Sequence, residues 1–487
     1  MAKTIKRSRK SHTAKNQKKQ IKVNELRSLK KIREDVAGID IGGEFHFVAA
    51  PDPSRDGKIV VCRFGCFTPN LKECVEWLKQ CRVSSVAMEA TGVYWTILYT
   101  MLEEAGIEVL LVNPRDFKKL KDKKTDVCDA EYLQLYHSYG LFEGAVIPER
   151  KISELRTFTR LREQSVEDAA TCICRMQKAL INMNLRLENV LSDISGATGM
   201  AIIRAIISGE RDPKVLALHR DKRCKKSLLE IEDSLNGFYR EDHLFALERA
   251  VRQYDFHLAE LDKCDTMIQA KLNEFTSHDN YKELENPQHE TKENPVEVTS
   301  KQGRKRKSPK KSYEFIFDLS KEIMRITGVD LTQLAGIGPS IALTLVAEIG
   351  LDMSRWKSEK EFVSWLGLAP NNKISGGKIL NKGSKRKKKK AAIMLRMAAS
   401  GLYHEANDTS LGAFYRRKRG QIGPAKAITA AARKLACYLY RLLSTGNPFV
   451  EMGAEAYRAL QKEKYFRRIR KQVAEWGFAL TPIETTA

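Results

Sequence analysis

Val36-Ala37-Gly38-Ile39-Asp40-Ile41-Gly42-Gly43 decides the fold. A short apolar run closed by two glycines predicts a β-strand ending in a turn. Phe45, Phe47 and Val48 then alternate into a second strand, and Lys58 to Phe67 predicts a third after a Pro/Asp/Gly turn. Downstream, Leu71 to Cys81 reads as a helix and Ser84 to Glu89 as a short apolar strand. Val93 to Ala105 is again helical, and Ile107 to Val112 is a strand ended by Asn113-Pro114. Strands alternating with helices predict an α/β domain with a mixed sheet over residues 35–150.

Asp40 sits at the centre of the first strand, where a buried carboxylate is costly unless it is paired or binds a metal. Glu89 closes a different strand, just before Ala90-Thr91-Gly92. In open α/β sheets, groups at strand ends collect in one crevice. Lys123-Lys124-Thr125-Asp126-Val127-Cys128-Asp129-Ala130 adds two carboxylates three residues apart, which share one helical face. Alone, that pair also fits the acidic first turn of a solvated helix. Together with Asp40 and Glu89, it makes a set of hard oxygen ligands able to hold two Mg²⁺ (or Mn²⁺) ions for phosphodiester chemistry. Unrelated surface and capping acids are the competing reading.

The charge points the same way. The 487 residues carry a net charge of +24 with 42% hydrophobic residues, so the chain has real cores and a polyanionic partner, nucleic acid first. A membrane surface competes, but the basic runs adjoin no apolar anchor. No run of about eighteen apolar residues predicts a membrane-spanning helix, and no apolar signal core follows the basic N-terminus. A cytoplasmic protein is expected. Residues 1–34 hold thirteen Lys or Arg against two Glu, a basic arm expected to be disordered when free. The ten cysteines read as reduced, packed thiols. Cys62/Cys66 and Cys172/Cys174 lack a second pair at zinc-finger spacing.

Ile173, Met176, Leu180, Met183 and Leu187 step by three and four, as do Leu244, Leu247, Val251, Tyr254, Leu258 and Leu261, continuing to Ile268 and Leu272. These heptad seams predict a helical, coiled-coil region over 151–275, pairing as an antiparallel hairpin or with another chain. Residues 276–313 lose periodicity and read as a polar, basic linker. A mainly α domain follows over 314–450, and 451–487 is a helical tail.

In this domain Gly336-Ile337-Gly338-Pro339 opens an apolar helix. Backbone N–H groups at such a turn can hold a phosphate, as in half of a helix-hairpin-helix, so Gly336 and Gly338 are candidate nucleic-acid contacts. Trp365-Leu366-Gly367-Leu368-Ala369-Pro370 leads to Asn371-Asn372-Lys373-Ile374-Ser375-Gly376-Gly377-Lys378. Lys382 to Lys390 then holds seven basic residues among nine. Lys378, Lys382, Lys385, Arg386, Lys387 and Lys388 are expected on a nucleic-acid backbone, as are Arg416 and Arg417 in a second basic patch with Lys418 and Arg419. Residue chemistry alone favours a phosphate-binding loop at Ser375 over a nucleophile there.

Val36 to Ile41, Met88-Glu89-Ala90-Thr91-Gly92-Val93-Tyr94-Trp95, Val112-Asn113-Pro114 and Lys124 to Ala130 resemble the DEDD transposases of bacterial and archaeal insertion sequences. The resemblance continues through the helical middle and from Leu331 to Phe449. It implies a RuvC/RNase H-like N-terminal domain in which Asp40, Glu89, Asp126 and Asp129 coordinate divalent metal. It also implies a C-terminal transposase domain whose serine bonds covalently to DNA. That family's usual Ser-Ser-Gly-Gly is Ile374-Ser375-Gly376-Gly377 here, which makes Ser375 the match, with Ser384 in reserve. The resemblance further implies donor and target DNA, a non-coding bridge RNA that selects them, dimers that pair into a tetramer, and a prokaryotic, nucleoid-associated setting. Two other functions compete: a metal-dependent Holliday-junction-type nuclease using the four acids alone, and a non-catalytic nucleic-acid-binding protein derived from a transposase.

Overall fold

The structure, a computed structural model, describes residues 30–55, 58–90, 92–114, 126–142, 144, 147–279, 313–370, 373–376, 378–381, 389–404, 409–447 and 451–479. The chain divides into two compact units after Ile147.

The first unit is a five-stranded sheet of order β3-β2-β1-β4-β5. Its strands are β1 (Val36–Ile41), β2 (Phe45–Asp52), β3 (Lys58–Gly65), β4 (Ser85–Glu89) and β5 (Glu108–Val112). The first three are joined by turns and run antiparallel, whereas β1, β4 and β5 are parallel and connected through helices. The mixed sheet expected from the alternation of elements is therefore present. Helices α1 (Thr68–Gln80) and α2 (Thr96–Glu104) cover one face, where Ile39, Val48, Met88 and Leu111 pack with Leu78 and Leu98. Successive strand residues point to opposite faces, so Gly38 and Ala87 belong to the other side. Helix α3 (Asp126–Ser138) lies there, packing Leu133 and Tyr136 against Ala87 and Val112.

The second unit is mostly helical. Two 33-residue helices, α4 (Arg150–Asn182) and α9 (Glu241–Asn273), frame it. They run antiparallel: Lys151 donates to the Glu274 carbonyl at one end and Arg175 to Gln253 towards the other, both at 3.0 Å. Met176, Leu180 and Met183 meet Leu247, Val251 and Tyr254, so the two predicted seams are used against each other within the chain. Between them, residues expected to be simply helical break into α5 (Leu187–Val190), α6 (Ala197–Ile207), α7 (Pro213–Ala217) and α8 (Leu228–Ser234). Ile202, Ile203 and Ile206 of α6 close that end of the core.

At the opposite end of the pair, Leu155, Ile268 and Leu272 enter a second core. It is built from α10 (Leu319–Thr327), α11 (Pro339–Ile349), α12 (Glu359–Leu366), α13 (Lys390–Ser400), α14 (Ser410–Ile422) and α15 (Pro424–Thr445). Helix α13 ends at Ser400, and the chain continues as a 3₁₀ turn, Gly401–Tyr403. A two-stranded hairpin, β6 (Lys373–Ser375) and β7 (Lys378–Asn381), interrupts the helices, and α16 (Gly453–Glu475) closes the described chain. Most of the basic arm and of the 276–313 linker lies outside the described residues.

Candidate active site

The acids are placed by register. β1 and β4 pair Gly38 with Ala87 and Ile39 with Met88. One step further sets Asp40 beside Glu89 on neighbouring strands, which lie about 4.8 Å apart. Parity puts both on the α3 face. Glu89 is in register with Val112 of β5 and is 7% exposed, while Asp40 is half-buried.

Helix α3 delivers the third acid. Gln134 Nε2 donates to the Val36 carbonyl at 3.3 Å, and the Ala130 carbonyl lies against Gly38. Lower numbers on α3 thus sit over higher numbers on β1, so the first turn of the helix lies towards Asp40. Asp129, on that turn, is 7% exposed. Asp126 opens the same helix three residues earlier, but its side chain lies outside the described residues. The far end of α3 is pinned by a 2.9 Å hydrogen bond between His137 Nε2 and Ser85 Oγ. Burial holds the His137 imidazole below its usual range. Gln134, His137 and Ser85 escape sequence reasoning; their only trace is that 130, 134 and 137 share the helical face of Asp126.

Among the described residues, no three His, Cys, Asp or Glu side chains are arranged as a ready metal cluster. The donor chemistry nonetheless fits a hard divalent cation: Asp40, Glu89 and Asp129 offer carboxylate oxygens, two of them almost fully buried at one sheet end.

The serine lies in the second unit. Ser375 ends β6, pairs with Lys378 of β7 and is exposed. Gly376 follows with φ +55°, a left-handed turn position that favours glycine. The hairpin therefore presents the hydroxyl at a tip rather than in a loop. The side chains of Lys378, Lys382, Lys385, Arg386, Lys387 and Lys388 lie outside the described residues. The run's last two lysines are anchored: Lys389 Nζ stands 3.2 Å from the Trp365 ring centroid, and Lys390 Nζ pairs with Glu163 at 2.8 Å.

Gly336 has a packing reason of its own. Its φ is +85°, and a Cβ there would press on the Ala398 carbonyl of α13. Gly338, by contrast, caps α11 with open space around it and no side-chain cap. Arg416 donates to the His404 carbonyl at 3.2 Å, and Arg417 to Gln461 at 2.7 Å. No helix among the described residues is long and apolar enough to cross a membrane.

Comparison with known proteins follows the same division. Residues 37–184 match a family model for DEDD transposases of the IS110 type, and residues 330–416 match one described as transposase, IS116/IS110/IS902 family. No curated protein gives a match. The first model spans the sheet, α3 and all three described or partly described helix and strand sources of the acids, and the second spans the Gly336 turn and the Ser375 hairpin. Two models in this order place the chain among the DEDD transposases of insertion sequences, in the IS116/IS110/IS902 family.

Proposed function

We propose that this transposase exchanges DNA strands through a covalent bond to Ser375, in a reaction that also requires Asp40, Glu89, Asp126 and Asp129. The observation that supports the reading is a strand register and a helix direction that put Asp40, Glu89 and the first turn of α3 on one face and towards one end of the sheet. That mixed sheet with acids at its strand ends supports a RuvC/RNase H-like domain. The acids would hold Mg²⁺ or Mn²⁺, and a bound divalent cation supplies charge stabilisation to phosphoryl oxygens.

Ser375 Oγ attacks the scissile phosphorus as its proton leaves to a base. The Oγ–P bond forms, the P–O3′ bond breaks, and the 3′ oxygen takes up a proton, which leaves a 5′-phosphoserine and a free 3′-OH. Attack by the 3′-OH of a second strand reverses these steps and returns the serine. An exposed hydroxyl beside Gly376, in a strongly basic stretch, suits both directions. The Gly338 cap, Arg416, Arg417 and the lysine run would grip backbone phosphates.

The surplus of positive charge leaves room for a guide RNA beside donor and target DNA. Dimers, and tetramers of them, would use the outer faces of α4 and α9, because the heptad seams are already spent within the chain. Leu161, Phe256 and Met267 remain 52%, 59% and 42% exposed there.

A nuclease using the acids alone is the competing reading, favoured by the place of Asp40, Glu89 and Asp129 in one and the same unit. Cleavage of recombination-site DNA by Glu89→Gln, Asp129→Asn and Ser375→Ala separates the two. The proposal expects all three to lose product; cleavage kept by Ser375→Ala and lost by the acid variants supports the nuclease.

A further inference from the structure

Helix α16 lies beyond the matched segment 330–416. Only its first turn is buried: Ala454 and Tyr457 pack into the C-terminal core, and from Arg458 onward its residues are exposed or partly exposed. The helix carries seven Lys or Arg against three Glu. Tyr465, Phe466, Trp476 and Phe478 are nevertheless 63%, 45%, 66% and 71% exposed. Trp476, the residue that caps α16, follows Tyr465 by eleven positions, about three helical turns, so the two fall on one side of the helix, and the Phe466 ring lies 6.4 Å from that of Tyr465. Arg467, Arg468, Arg470 and Lys471 flank these rings.

The base of the helix stands on crowded cations. Arg417 of α14 and Lys434 of α15 each lie 5.6 Å from the Tyr457 ring centroid, and Lys434 lies 4.4 Å from the Phe414 ring. Burial, then Arg417 and Lys464, push the Lys434 ammonium below its usual range. Like charges held together in this way favour an anionic partner. A second copy of the helix is disfavoured by the same repulsion. Bare aromatic rings between cations match an unpaired nucleic-acid strand, whose bases stack on the rings while its phosphates meet the cations. In a duplex, both faces of each base are already stacked.

We propose that α16, rooted on α14 and α15, holds an unpaired DNA strand, with bases stacked on Tyr465, Phe466 and Trp476. The source of that strand rests on the recombinase reading, since strand exchange exposes unpaired DNA while ends change partners. The full chain is tested by fluorescence anisotropy with a labelled single-stranded DNA of about 20 nucleotides. The parallel probes are RNA of the same sequence, the duplex DNA, and phosphatidylserine vesicles. Tyr465→Ala with Trp476→Ala is expected to weaken single-stranded DNA binding roughly tenfold or more and duplex binding less than about twofold. Tyr465→Phe with Trp476→Phe restores most of the affinity. Unchanged single-strand affinity, an equal loss on duplex, or an effect confined to RNA or to vesicles overturns the proposal. Both positions are exposed, so the variants keep the wild-type melting temperature. The assay reads no chemistry, and failure of the Ser375 mechanism therefore leaves its result intact.

Discussion

Gly38 on β1 and Gln134 on α3 pack backbone to backbone: a Cβ at residue 38 would overlap the Gln134 amide nitrogen and stand 2.8 Å from the Leu133 carbonyl carbon. This approach seats the helix that carries Asp126 and Asp129 on the strand that carries Asp40. Backbone atoms cannot swing aside as a flexible side chain does, so the helix itself must move to admit a methyl group. Gly38→Ala is expected to destabilise the first unit by about 1–3 kcal/mol, with a larger loss for Gly38→Val. Strand cleavage falls further than stability does, because α3 bears two of the acids. Thermal melting and cleavage rates on the same preparations check this; wild-type activity in Gly38→Val would contradict it.

His46 and His137 are 2% and 3% exposed, and burial holds both imidazoles below their usual range. The folded chain keeps these imidazoles neutral, whereas the unfolded chain protonates them as pH falls past about 6.5. The unfolded state then binds more protons, so stability is full above that pH and is lost below it. The melting temperature of the first unit should decline between about pH 7 and 5. His46→Gln combined with His137→Gln should flatten that decline, whatever it costs in stability at neutral pH.

Arg162 and Asp265 form a buried ion pair between α4 and α9, with side chains 7% and 1% exposed. Arg162 Nη2 also donates to the Tyr313 carbonyl at 2.9 Å and its guanidinium lies 3.5 Å from the Phe315 ring centroid. The Ile316 amide donates to Asp265 at 3.2 Å. The pair thus ties down residues 313–316, which lead into α10. Asp265→Ala strands a buried guanidinium and should cost about 3–5 kcal/mol in urea unfolding. Replacing both partners, Arg162→Met with Asp265→Leu, should cost markedly less than Asp265→Ala alone.

The sheet was legible because each of its strands is a short apolar run bounded by turn residues, and the Asp40 and Glu89 positions followed from those strands. Heptad spacing located α4 and α9, but spacing has no information about which surface a seam meets; the partner proved to be the other long helix. Register and helix direction were out of reach, because they depend on contacts such as Gly38 with Gln134, nearly a hundred residues apart. Ser375 read as part of a glycine-flanked loop, since three- and four-residue strands leave almost no periodic signal. The aromatic and cationic character of α16 was present in the sequence, but its exposure depends on how little of it the core covers.

The central claim is a serine–DNA bond that depends on the acids. Labelled recombination-site DNA, Mg²⁺, the purified protein and RNA from the element's flanks are combined and resolved on a denaturing gel. The account predicts a protein–DNA band in wild type that is absent from both Ser375→Ala and Asp126→Ala. Cleaved DNA with no such band, produced as well by Ser375→Ala as by wild type, would contradict it and leave the chemistry to the four acids alone.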